Sequence, residues 1–134
     1  MALDKRINNV IRIPTSLEGN FFRIWIEFLT PLHGLANREK DVLASLLKER
    51  HKLSKSISDE AILDKVLFSE DAKNIVKKEC DISDAFFQVI LMKLRKTKVI
   101  VDGKINPKFI PKNVENKDKE FQLLLYFDLN EENN

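Results

Sequence analysis

Between Ser83 and Ile105 the apolar residues of this chain change period, and that change constrains the fold more than any other stretch. Phe87, Ile90, Leu91 and Leu94 recur at the 3.6-residue spacing of a helix. From Val99 the spacing drops to two, through "VIV-DG-KI". Asp-Gly favours the left-handed backbone that a two-residue hairpin turn needs. The pattern predicts a helix over 83–98, capped by Ser83 and entered through the short connection "CDIS", that leads into a β-hairpin.

Upstream, "NREKDVLASLLKER" predicts a helix over 37–50. Asn37 is its expected N-cap, Glu39 and Asp41 suit the positive end of its dipole, and Val42, Leu43, Leu46 and Leu47 form its apolar stripe. "HKLSKSI" reads as a polar turn. "SDEAILDKVLF" and "SEDAKNIVKKE" predict two short helices capped by Ser58 and Ser69. Ile62, Leu63, Val66 and Leu67 are expected inward on the first, and Ala72, Ile75 and Val76 on the second. "GNFFRIWIEFLTP" predicts an aromatic helix from Phe21 to Leu29, capped by Asn20, stopped by Pro31 and buried in this chain or against another. "INNVIRIP" predicts a strand or arm with Ile7, Asn9, Ile11 and Ile13 on one side. "FQLLLYFDL" alternates and predicts a strand over 121–129, with Leu124 and Tyr126 making its second face partly apolar; "NEENN" is a polar tail.

The formal charge of +2 over 134 residues conceals two opposed segments. Lys93 to Lys119 holds nine basic and three acidic residues, whereas Glu120 to the end holds four acidic and no basic residues. Cys80 is the only cysteine, which excludes an intrachain disulfide and makes a reducing compartment the default. The longest apolar run, "FFRIWIEFL", is interrupted by Arg23 and Glu27 and falls far short of the roughly 20 residues that span a bilayer, so no membrane partner is expected. "MALDKRINNV" lacks the apolar core of a signal peptide, and a cytoplasmic location is expected. Lysines outnumber arginines 17 to 6, a bias that points to an AT-rich genome, bacterial or phage.

Reactive chemistry is not legible. His33 and His51 have no Cys, Asp or Glu at metal-ligand spacing, and surface or capping roles are expected of them. Cys80 has Lys77 and Lys78 nearby, which would lower its pKa, but a lone cysteine closing an apolar helix face also suits a buried small residue. Three glycines leave no room for a phosphate-binding glycine loop, and no nucleophile elbow is present. The expectation is a non-enzyme with no catalytic residue, no metal, no cofactor and no small-molecule substrate.

The order of elements from about Ala36 to Leu129 resembles the winged helix-turn-helix superfamily. "NREKDVLASLL" looks like its first helix, "AKNIVKKECDISDAFFQVILMKLRKTKVI" like its second helix, turn and recognition helix, and "VIVDGKINPKFIP" through "FQLLLYFDL" like its wing. The resemblance implies an α+β, mainly helical fold in three parts: an arm and aromatic helix over 1–35, a winged-helix domain over 36–129 ending in a β-hairpin wing, and the tail over 130–134. It also implies double-stranded DNA as a partner. The recognition helix of that family meets base edges with its first turns, which here would present Asp84, Ala85, Phe86, Gln88, Val89, Met92 and Lys93. Of these, Gln88 and Lys93 match the donor and acceptor pattern of the bases. Lys96, Lys104, Lys108, Lys112, Lys117 and Lys119 would lie along the phosphate backbone.

Phe86, Val89 and Met92 fit base readout poorly. Such a stripe marks either a protein interface or a core surface covered by the aromatic helix. Winged proteins usually bind as dimers, and Phe21 and Trp25 of the aromatic helix are candidates for that contact. The sequence thus leaves two readings open, from different classes. One is a DNA-associated regulator or nucleoprotein component. The other is an assembly or adaptor protein of a larger complex, such as a phage virion, that uses Phe86, Val89, Met92 and the N-terminal arm for self-association or docking on other subunits.

Overall fold

In the computed structural model, which describes residues 8–115 and 119–129, the long helix α3 (Asn37–Ser54) is the element against which most others pack. Before it come α1 (Phe21–Phe28) and the one-turn α2 (Thr30–His33); after it come α4 (Glu60–Leu67), α5 (Glu70–Cys80) and α6 (Asp84–Lys96). A two-stranded antiparallel sheet follows, β1 (Ile100–Val101) and β2 (Lys104–Ile105), and then a 3-10 turn over Pro107–Phe109. The chain is α+β and mainly helical, as the periodicities predict. Ile7, Lys117 and residues 130–134 lie outside the described residues.

One apolar cluster joins these elements. Phe22 and Ile26 of α1, Leu43 and Leu46 of α3, Leu67, Val76, all four predicted inward residues of α6, and Ile105 and Phe109 belong to it. Residues before 36 therefore share a core with those after it, instead of forming a separate arm-and-helix unit. The aromatic helix is buried in this chain, as its composition predicts. Phe21 is edge-on to Phe22 and Phe121, and Trp25 donates its indole N–H to the Phe109 carbonyl at 2.8 Å.

Several boundaries differ from expectation. The Asn20 side chain makes no capping bond, and Pro31 does not end the helical region. It opens α2 instead, at a position where a missing N–H costs nothing, and Gly34, at φ 62°, closes that turn. Ala36 rather than Asn37 sits at the cap position of α3, its N–H donating to Glu39 Oε1 at 2.9 Å. The "HKLS" segment is helical, since His51 packs on the Phe22 ring and Leu53 reaches the core. Asp59, not Ser58, caps α4. Ser69 and Ser83 cap α5 and α6 as predicted. Ile62 and Ile75 are exposed and Val66 is half-buried: these helices are short enough that only two residues of each are buried.

The strand predicted over 121–129 is absent among the described residues, and of the strand or arm expected at the N-terminus residues 8–15 form no strand. Residues 8–15 and 119–129 form no ladder, and Val10, Ile11 and most of Leu123 to Leu129 face solvent instead of being covered. Alternation marks a segment fit for a sheet, but a strand also requires a neighbouring edge.

The connection between α5 and α6 is set by backbone geometry that no glycine announces. Asp81 adopts the left-handed conformation (φ 52°, ψ 55°), its N–H bonds the Lys78 carbonyl, and the Ile82 N–H bonds the Lys77 carbonyl. Arg38 adds a 2.7 Å bond to the Cys80 carbonyl. A left-handed Asp is less favourable than a left-handed Gly. Asp81→Gly is therefore expected to raise stability by roughly 0.5–1 kcal/mol, read as a higher urea midpoint at unchanged m-value.

An ion-pair network fastens α1 to α3. Glu27 accepts from Lys40 Nζ and Arg23 Nη1, both at 2.9 Å, and Arg23 Nε donates to Asp41 at 2.8 Å. The Lys40 and Arg23 bonds lower the Glu27 pKa from 4.5 to about 2. Because the folded value lies below the ordinary one, the stabilisation is present above pH 4.5 and is lost as pH falls towards 2. Glu27→Gln is expected to lower stability at neutral pH and to flatten the acid limb of urea midpoint against pH in that window.

Candidate nucleic-acid interface

The outward face of α6 follows from its buried one. With Phe87, Ile90, Leu91 and Leu94 turned to the core, the 3.6-residue turn puts Ala85, Val89, Met92 and Lys96 along the opposite crest. Phe86 and Lys93 lie on one flank of that crest, Gln88 and Arg95 on the other. Phe86, Val89 and Met92 are 42, 59 and 65% exposed. They are not core residues covered by the aromatic helix, because α1 packs on α3 instead. That arrangement also removes Phe21, which is buried, from the candidate interface residues, and leaves Trp25 half-buried and bonded within the chain.

At the start of α6, Asp84 is tied to α5. Lys77 Nζ lies 2.9 Å from Asp84 Oδ1 and sits over the Phe87 ring, 5.9 Å from its centroid. The Lys77 hydrogen bond holds the Asp84 carboxyl below its usual range. The pair fixes how α6 leaves the turn and offsets a negative charge that would otherwise repel an anion.

At its other end, α6 hands over directly to the hairpin. Lys98 is left-handed (φ 66°), and the Val99 N–H bonds the Leu94 carbonyl at 2.9 Å. Ile100 pairs with Ile105 and Val101 with Lys104. Asp102 (φ 55°) and Gly103 (φ 74°) make the turn, as the Asp-Gly pair predicts. The Asn106 side chain ties the hairpin back to the Lys98 carbonyl at 3.2 Å. The sheet stops there, since the third strand predicted from 121–129 is absent among the described residues.

The state of the cations divides the chain in two. Among the described residues, Arg12, Arg23, Arg38, Lys40, Lys48, Arg50, Lys55, Lys73 and Lys77 all have carboxylate partners. None of Lys93, Arg95, Lys96, Lys98, Lys104, Lys108, Lys112 or Lys119 is in such a pair, and all are exposed. Lys108 alone has a local role, over the Phe109 ring at 5.2 Å. Before residue 93, only Lys52, Lys65 and Lys78 among the described cations are similarly without a carboxylate. Basic residues suit a helix C-terminus by about 0.3–1 kcal/mol each, which accounts for Lys93, Arg95 and Lys96. It does not account for Lys104, Lys108 or Lys112, which lie on or beyond the hairpin.

Other candidate sites are weaker. His33 is buried, not at the surface: its Nε2 is 2.9 Å from the Ile26 carbonyl and its Nδ1 accepts from the Leu35 N–H at 3.0 Å, so the ring clamps the α2 turn. His51 Nε2 lies 3.2 Å from Glu115 Oε1. Burial pushes the Cys80 thiol up, opposite to an activated thiolate, and its Sγ is 3.7 Å from the Asp41 carbonyl. A cleft of about 280 Å³ beside His51 is lined by Arg50, which pairs with Asp64, and by Glu115, which lies 3.2 Å from His51 Nε2 and 3.7 Å from Lys55 Nζ. Among the described residues no group of His, Cys, Asp and Glu is placed to hold a metal ion, and no helix is long and apolar enough to cross a membrane.

The fold and this surface together define a class: a mainly helical α+β chain that presents one helix and a short hairpin as a basic, partly apolar surface. Comparison with protein families, curated proteins and solved structures finds no match in any of the three.

Proposed function

We infer that this chain is a non-enzymatic, nucleic-acid-associated protein of the winged-helix type, in which α6 and the hairpin rest on duplex DNA. The observation that carries this reading is the run of exposed cations from Lys93 to Lys112 with no carboxylate of their own, where most other cations among the described residues are paired. Exposed lysines answered by no internal anion supply the counterion-release term that dominates binding to a phosphate backbone. Gln88 and Lys93 are the only two base-reading groups among the outward residues of α6 from Asp84 to Lys93, beside Phe86, Val89 and Met92, so the attraction is largely sequence-tolerant. The role that fits is a regulator or nucleoprotein component acting where its nucleic acid is, in the cytoplasm.

Titration of a random duplex from 50 to 200 mM salt tests the reading. A log–log salt slope on the order of −5 is expected, corresponding to five or six phosphate contacts. Absence of binding at 50 mM salt, or a slope near zero, overturns it. A second reading, an assembly or adaptor role in a larger complex such as a virion, is favoured by a different observation, the exposed Phe86, Val89 and Met92.

A further inference from the structure

We propose that the chain self-associates by seating residues 121–129 of one copy on the outward face of α6 of a second copy. Both surfaces lie open in a single chain. Phe121 is anchored edge-on to Phe21 and Trp25, with ring centroids 5.1 and 5.3 Å apart. Beyond that anchor the segment is extended away from cover, and Tyr126, Phe127 and Leu129 are 82, 83 and 87% exposed. Its own α6 remains uncovered at the same time.

Area, length and charge select the occupant. Leu123, Leu125, Phe127 and Leu129 expose on the order of 500 Å², taking 150–250 Å² for a large side chain, and with the α6 face each copy also contributes in a reciprocal exchange this reaches one partner's share of a standard interface. Leu123, Leu125, Phe127 and Leu129 fall on one side of an extended segment about 20 Å long. The crest from Ala85 to Lys96 is about 16 Å long. The stretch from Glu120 onward carries four acidic residues and no basic one, whereas Lys93 to Lys112 carries seven basic residues and one acidic. Two such segments laid side by side would repel each other; one laid on α6 meets Lys93, Arg95 and Lys96. Reciprocal exchange closes a two-fold dimer.

Association is read by mass in the absence of nucleic acid, so its failure is distinguishable from failure of the nucleic-acid reading; because the seated segment covers the α6 face proposed to rest on DNA, duplex and dimer are expected to compete for that face. Sedimentation of the full chain is expected to show a concentration-dependent dimer. Val89→Asp with Met92→Asp, and separately Phe127→Asp with Leu129→Asp, are each expected to weaken it by about 100-fold or more. All four side chains are exposed, so an unchanged melting transition verifies the fold. In a Cys80→Ser background, mixing a Met92→Cys chain with a Phe127→Cys chain is expected to give more disulfide-linked dimer than either chain alone. A monomer at every concentration, a dimer indifferent to both substitution pairs, or a cross-link that forms only within a chain carrying both cysteines overturns the proposal.

Discussion

Reversing the charge of Lys93, Lys96 and Lys104 together is expected to lower the affinity for random duplex DNA by about 10²–10³-fold at 50 mM salt, with a salt slope shallower by nearly 3. Each of the three is exposed and has no carboxylate partner among the described residues, so the substitutions break no internal pair. Stability is expected to fall by roughly 0.5–2 kcal/mol at each of Lys93 and Lys96, which face the negative end of the α6 dipole, and by no more than about 0.5 kcal/mol at Lys104. The control is Lys52→Glu, Lys65→Glu and Lys78→Glu, which changes net charge equally at exposed cations also without carboxylate partners. If binding depends on the α6 and hairpin surface, the control loses far less affinity. Equal loss in the two variants would mean that net charge alone is felt and that α6 is not the contact surface.

That comparison turns on something only partly legible in the sequence. The basic run was visible as letters, but whether a lysine is answered by a carboxylate depends on tertiary neighbours. Lys40 finds Glu27 thirteen residues away, and Arg23 finds Asp41 eighteen away. No local pattern announces either pair. The inward face of α6 and the Asp-Gly hairpin were legible because periodicity and turn chemistry are local properties. The left-handed backbone that closes α5 and α6 was not, because Asp81 and Lys98 occupy positions where glycine is the usual signal. The same limit explains the termini: alternation over 121–129 describes a segment able to join a sheet, while joining one depends on tertiary placement beside an edge, and these residues pair with neither strand of the hairpin. The exposed apolar crest of α6 could be listed as outward residues from the wheel, but its exposure depended on where α1 packs.

Phe22→Ala is expected to destabilise the whole chain by about 3–5 kcal/mol, a large part of the 5–15 kcal/mol typical of a domain. Phe22 is buried, edge-on to Phe21 at 5.1 Å and against His51 of α3 at 5.7 Å. It also lines the 280 Å³ cleft beside His51, so truncation enlarges an existing void instead of allowing collapse around it. The loss tests whether residues before 36 are an appendage or part of the fold. If α1 shares one core with α6 and the hairpin, urea unfolding stays a single transition, and amide exchange in α6 accelerates by the same free energy as in α1. If the aromatic helix were a separate unit, exchange would rise in α1 and α2 while Phe87, Ile90 and Leu91 kept their protection. The first outcome is expected, because the Trp25 indole bonds the Phe109 carbonyl beyond the hairpin and Phe109 packs in the cluster that holds Phe87 and Leu94. A helix bonded to the turn beyond the hairpin cannot unfold without exposing that turn and the Phe109 ring beneath it.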